Sequence, residues 1–137
     1  MVTAVEEVHT SYVDQWQLAL SSGDTSGVEL FLGPDYHGWF CPDSAESFPY
    51  DRDEGVEGMR ESVRRLRGCA MEAAHRMVSR RGDAEALVFY EKRILRQGAV
   101  LSRAVILEAW RLHDDGRWLL LREVTEHGAG SDVRGTR

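Results

Sequence analysis

Lysine is almost missing from this chain. Lys and Arg together number 17, every one of them Arg except Lys92, and Asn is absent. The bias fits a GC-rich coding sequence and hence a bacterial source. Asp and Glu number 23, leaving a net charge of -6. That is the wrong sign for a phosphate-binding face, so no nucleic-acid partner is expected. The densest basic cluster, Arg60, Arg64, Arg65 and Arg67, follows Asp51, Asp53, Glu54, Glu57 and Glu61 and reads as a solvated helix face. No run of about 18 apolar residues occurs, so no membrane span is expected. The acidic segment MVTAVEEVHT lacks the apolar core of a secretion signal. Cys41 and Cys69 have neither CxxC nor metal spacing, which suits a reduced, cytoplasmic protein. The five histidines show no HxH or HExxH pattern, and neither GxSxG nor a P-loop occurs, so no metal and no cofactor is expected.

What is present suffices for one ordinary domain. Apolar residues make up 42% of 137; we place the domain at residues 1–127 and read the Gly-rich 128–137 as a flexible tail. Residues 2–22 read as a helix, with Val5, Val8, Tyr12, Trp16 and Ala19 or Leu20 forming an apolar stripe ended by Gly23. Asp24 or Thr25 caps a short second helix reaching Leu32, and Gly33-Pro34 stops it. Asp35 to Cys41 reads as a strand and residues 42–52 as a loop. Asp53 caps a third helix, with Val56, Met59, Val63 and Leu66 inward and Glu61 and Arg65 paired. Four strands follow, 70–80, 84–95, 99–112 and 117–127, joined by turns that each contain Gly.

Turn chemistry sets register, and register sets which side chains share a face. A two-residue loop at Gly82-Asp83 pairs Met77 with Val88, His75 with Tyr90 and Ala73 with Lys92. Three-residue loops at the next two turns pair Tyr90 with Ala104, Lys92 with Ser102, Trp110 with Leu120 and Glu108 with Arg122. One face then carries His75, Met77, Tyr90, Lys92, Glu108, Trp110, Trp118, Arg122, Val124 and Glu126. It is apolar with a few convergent polar groups, the composition of a ligand pocket. The opposite face carries Leu87, Phe89, Leu101, Val105, Leu107, Leu119 and Leu121, and is expected to bury partly in a homodimer.

The segments WQLALSSGDTSGVELFLGPDY, GVEGMRESV and WRLHDDGRWLLLREV resemble the nuclear transport factor 2-like superfamily over about residues 4–127. The resemblance implies an α+β cone, three N-terminal helices closing over a curved, mostly antiparallel sheet. The superfamily includes ketosteroid isomerases, SnoaL-like polyketide cyclases, scytalone dehydratase, limonene epoxide hydrolase and non-catalytic binding or dimerisation domains. The isomerase pattern, carried over residue by residue, has Trp16 where that family has a helix Tyr. It has Phe40 or Cys41 where the family has an Asp base, and Glu108 where it has a second acid. One of the three matches. The resemblance also implies that Tyr36, His37 and Trp39 lie near the cone's mouth and that Tyr12 and Trp16 point into it.

The expected function is therefore binding of a small hydrophobic, oxygenated metabolite, with cofactor-independent isomerisation, cyclisation or dehydration. In that reading Glu108 is the general acid/base, Arg122 its orienter, and His75, Tyr90 and Lys92 the groups that stabilise an oxyanion. Tyr12, Trp16, Tyr36, His37, Trp39, Trp110 and Trp118 hold the substrate. Two alternatives stand beside it: a non-catalytic ligand-binding or dimerisation module, and an epoxide hydrolase-like enzyme using Glu126 as second acid. Each candidate also has a plain structural reading, as core aromatic, cross-strand ion pair or exposed edge lysine.

Overall fold

Capping chemistry sets the helix boundaries. The computed structural model describes residues 3–43 and 46–128. The first helix, α1, spans Val5–Ser22 and closes on Gly23, whose N–H donates to Ala19 O. Thr3 and Ala4, expected to be helical, precede it. The second, α2, is a single turn, Ser26–Glu29. The third, α3, spans Arg52–Arg65 and is capped by Asp51, not Asp53. Asp51 accepts from the Glu54 N–H while Glu54 reaches back to the Asp51 N–H, each at 2.9 Å. That reciprocal box satisfies two end donors where Asp53 offers one. Glu61 pairs with Arg64 at 2.6 Å, one residue short of the expected Arg65.

Six strands form one curved sheet. They are β1 (Leu32–Cys41), β2 (Phe48–Tyr50), β3 (Ala70–Arg81), β4 (Glu85–Arg96), β5 (Ala99–Leu112) and β6 (Trp118–His127), in the order β2-β1-β6-β5-β4-β3. Only β1 and β6 run parallel. β2 lies within the stretch read as a loop: Phe48 and Tyr50 supply the aromatic character, and Gly38 pairs with Tyr50 in β1. The Gly-rich tail falls outside the described residues apart from Gly128, whose N–H donates to Arg103 O. No helix among the described residues is long and apolar enough to cross a membrane.

Three bulges correct the expected registers. At the β3–β4 turn the loop has three residues, so Met77 pairs with Phe89 and turns outward. A bulge at His75 and Arg76 then restores Ala73 opposite Lys92. His75 adopts φ 59 there, a left-handed backbone that costs a non-glycine residue about 1–2 kcal/mol. Between β4 and β5, Gln97 and Gly98 both take positive φ, the signature of a two-residue turn matched to strand twist. Leu101 is the extra residue, and Lys92 lands opposite Ala104 rather than Ser102. The shift is even, so every face is preserved. The third bulge matters most. Trp110 pairs with Leu120 but Ala109 with Arg122, leaving Leu121 unpaired. From there outward β6 is inverted: Arg122, Val124 and Glu126 face away, and Glu123 sits opposite Glu108.

The inner face, covered by α1 and α3, holds the core, including Tyr90, Ile106, Trp110, Trp118 and Leu120. On the outer face one register row runs Met77, Phe89, Leu107, Val124, Trp39 across five strands. Met77 is 65% exposed and Trp39 41%. Leu119, assigned to that face, is buried beside Gly33.

Candidate active site

The cross-strand pair Glu108 and Glu123 puts two carboxyl groups under α1. Glu108 is fully buried. Tyr90 Oη donates to its Oε2 at 2.6 Å, and Trp110 Nε1 donates to its Oε1 at 3.0 Å. His9 Nε2 lies 3.3 Å from the same Oε1. Burial works against ionisation of Glu108, but the contacts from His9 and Tyr90 outweigh it and hold the carboxyl below the usual range. Glu123 has the opposite balance. Burial and the neighbouring Glu108 charge push it up to about 8, although Tyr36 Oη donates to its Oε1 at 2.8 Å. Two adjacent carboxyl groups cannot both ionise cheaply, so one keeps a proton near neutral pH. Lys92 is half-buried, with Nζ 4.2 Å from the Trp16 ring centroid. Desolvation lowers its pKa, against the pull of Glu123 and Glu108.

Glu123 opens onto a cavity of about 430 Å³. Tyr12, Trp16, Leu32, Phe40, Phe48 and Met59 give it an apolar body, and Tyr36 and Tyr50 a polar edge. The two phenol oxygens are 3.2 Å apart, and burial raises both pKa values, so both remain protonated donors. Gly55 and Gly58 line the α3 wall for different reasons. A Cβ at Gly55 would come within 2.9 Å of Tyr36 Cε2, whereas one at Gly58 would meet nothing within 4 Å. Among the described residues no cluster of three or more His, Cys, Asp or Glu side chains is arranged to hold a metal.

Comparison with solved structures identifies the architecture. A cystatin-like protein of unknown function from Nostoc punctiforme superposes with TM-score 0.71 at 13% identity, covering 96% of this chain and 98% of that one. An NTF2-like protein of unknown function from Pseudomonas putida gives TM-score 0.68 at 16% identity, covering 92% and 89%. The fold is NTF2-like. A candidate ketosteroid isomerase from Parabacteroides distasonis shares it at TM-score 0.62 and 12% identity, covering 88% and 87%. No family model matches the sequence, and no curated protein matches it.

In the NTF2-like cone the expected site residues divide into two groups. Glu108, Tyr90, Lys92, Tyr12, Trp16 and Tyr36 converge around the carboxyl pair and cavity. Trp110 lies behind them, holding Glu108, and Trp118 donates to Thr3 O at the start of α1, away from the cavity. The others face away. Arg122 is exposed on the outer face because Leu121 bulges, and Glu126 follows it. His75 is exposed at its own bulge, 3.3 Å from Arg93. His37 and Trp39 meet edge to face on the outer side of β1, ring centroids 5.6 Å apart, since Tyr36, Gly38 and Phe40 take the inner positions.

Sequence reasoning missed Glu123, His9 and Tyr50. His9 was legible: it stands four residues after Val5 and three before Tyr12, a polar side chain on an apolar stripe. Glu123 was concealed by a bulge that has no glycine to mark it.

Proposed function

We propose that the cavity binds a small, largely apolar, oxygen-bearing metabolite and that the protein moves protons on it without a cofactor, as an isomerase, cyclase or dehydratase. The observation that carries this reading is the carboxyl pair: Glu123, pushed up to about 8, meets an apolar cavity beside two phenols. A carboxyl titrating near neutral pH serves as acid in one half-reaction and base in the other. Glu123 would take a proton from a carbon beside a carbonyl and return it elsewhere on the same molecule. Tyr36 spends its one hydrogen on Glu123, so Tyr50 would be the donor to the oxygen as it gains charge. The acid-base role thus moves from Glu108 to Glu123, and Arg122 has no part in it.

A second reading, a non-catalytic binding or dimerisation module, draws on the apolar outer row from Met77 to Trp39. A homodimer through that face belongs to both readings. The epoxide-opening alternative loses its support, because Arg122 and Glu126 lie outside the cone.

The test is proton exchange on 2-tetralone, a bicyclic ketone small enough for the cavity, followed in heavy water by proton NMR. Wild type should accelerate exchange of the hydrogens beside the carbonyl, and Glu123→Gln should lower the rate about 10²–10⁴-fold. Binding without acceleration favours the non-catalytic reading. Neither binding nor acceleration overturns the cavity as a ketone site and leaves the dimerisation module. Mass spectrometry of a molecule that co-purifies with the protein would identify the natural ligand class.

A further inference from the structure

The carboxyl pair is asymmetric, and the source of the asymmetry lies on the far side of His9. Among the described residues, His9 Nε2 is a fully buried side-chain nitrogen with no aligned hydrogen bond. It sits 3.3 Å from Glu108 Oε1. The other ring nitrogen is engaged: Arg76 Nη1 lies 3.3 Å from His9 Nδ1. The same Nη1 shares its two hydrogens with Thr10 Oγ1 at 3.0 Å and Glu6 O at 3.2 Å. A guanidinium can only donate. Where Nη1 gives a hydrogen to His9, Nδ1 offers its lone pair and the ring hydrogen belongs on Nε2, facing Glu108.

Arg76 reaches His9 because of the β3 bulge. His75 and Arg76 together stand opposite Tyr90, so regular alternation breaks. His75 turns outward toward Arg93 while Arg76 turns toward α1. Bulges beside functional sites commonly re-aim a side chain in this way.

We propose that Arg76 fixes the tautomer of His9, and that His9 is a positioning residue making Glu108 the permanent anion of the pair, so that the shared proton rests on Glu123, the member open to the cavity. The proposal rests on reading the pair as the acid-base centre. With the opposite tautomer a lone pair would face Glu108, and the proton would shift to the carboxyl sealed from any ligand. The other groups facing the pair are Tyr12 from α1, Tyr36 and Tyr50 from β1 and β2, and Tyr90 and Lys92 from β4. Glu54, Glu61 and Arg65 of α3 stand at the cavity wall.

The test is NMR on the full chain, with carbon-13 at Glu carboxyl groups and nitrogen-15 in His rings. In wild type, His9 should show an unprotonated Nδ1 and a protonated Nε2. The Glu123 carbon should titrate between pH 5 and 9 while Glu108 reads ionised throughout. Arg76→Met removes the donor from an exposed position. It should mix or reverse the His9 tautomer and pass about half of the titration amplitude to Glu108, with one midpoint for both carbons. Arg76→Lys should retain the wild-type pattern. His9→Leu should act like Arg76→Met; if it does not fold, Arg76→Met decides. A protonated Nδ1 in wild type, or an Arg76→Met protein in which Glu123 alone still titrates, overturns the proposal. These readouts need no substrate. Correct proton placement with no ketone exchange sinks the acid-base function alone, and exchange with the wrong tautomer sinks only this proposal.

Discussion

Replacing Glu123 by Gln should change how stability depends on pH. Gln has the same shape and can still accept from Tyr36, but it cannot ionise. In the folded protein the Glu123 carboxyl is pushed from its ordinary 4.5 up to about 8. Between those two pH values the unfolded chain has released a proton that the native state still holds. Stability must then fall as pH rises, by about 1.4 kcal/mol per pH unit. Below 4.5 both states keep the proton, and above about 8 both have lost it. The full span corresponds to roughly 5 kcal/mol. Water entering the open cavity screens the repulsion, and we expect about 2–3 kcal/mol. Glu108 contributes with the opposite sign. Its lowered value supplies stability above the ordinary carboxyl range that is lost as acid protonates it. The assay is urea unfolding from pH 5 to pH 9. Wild type should lose about 2–3 kcal/mol across this window while Glu123→Gln stays nearly flat, so the variant becomes the more stable protein at pH 9. The melting temperatures should then differ by roughly 10 °C. Parallel curves for the two proteins would refute the claim that Glu123 holds a proton that the unfolded chain releases.

Four further outcomes follow from the same geometry. Tyr90→Phe deletes the 2.6 Å donor to a buried carboxylate and should cost about 1.5–3 kcal/mol in urea unfolding at pH 7. Gly58→Ala should stabilise α3 by about 0.4–1 kcal/mol, since its methyl meets open space. Gly55→Ala should destabilise, because its methyl would press on Tyr36 and Tyr50. The protein should sediment as a dimer, and Phe89→Glu, within the outer apolar row, should give a monomer with unchanged circular dichroism.

Periodicity and turn residues carried most of the architecture. The α1 stripe, the Gly23 stop and the four meander strands were all legible, because apolar spacing and turn chemistry act locally. β2 was not, since a three-residue strand with a central Pro49 has too little pattern of its own and exists by pairing to β1. The site was half legible for one reason. Alternation predicts faces only while register is unbroken, and the bulges at His75 and Leu121 break it next to the chemistry. Parity before the break identified Glu108, Tyr90 and Lys92. Parity carried past it put Arg122 where Glu123 belongs.

The single unpaired residue Leu121 makes β6 a strand with two possible readings. Drawing Leu121 into the ladder opposite Ala109, with the chain length unchanged, would rotate everything beyond it by half a turn. The cone would then present Arg122 to Glu108 and expel Glu123 to the surface. A proton-sharing acid pair would become a neutralised ion pair, with no change to any side chain in the cavity wall outside β6. The chemical character of the cone is thus set by a register and not by an identity, and a one-residue slip of outer β6 would alter it more than most substitutions could.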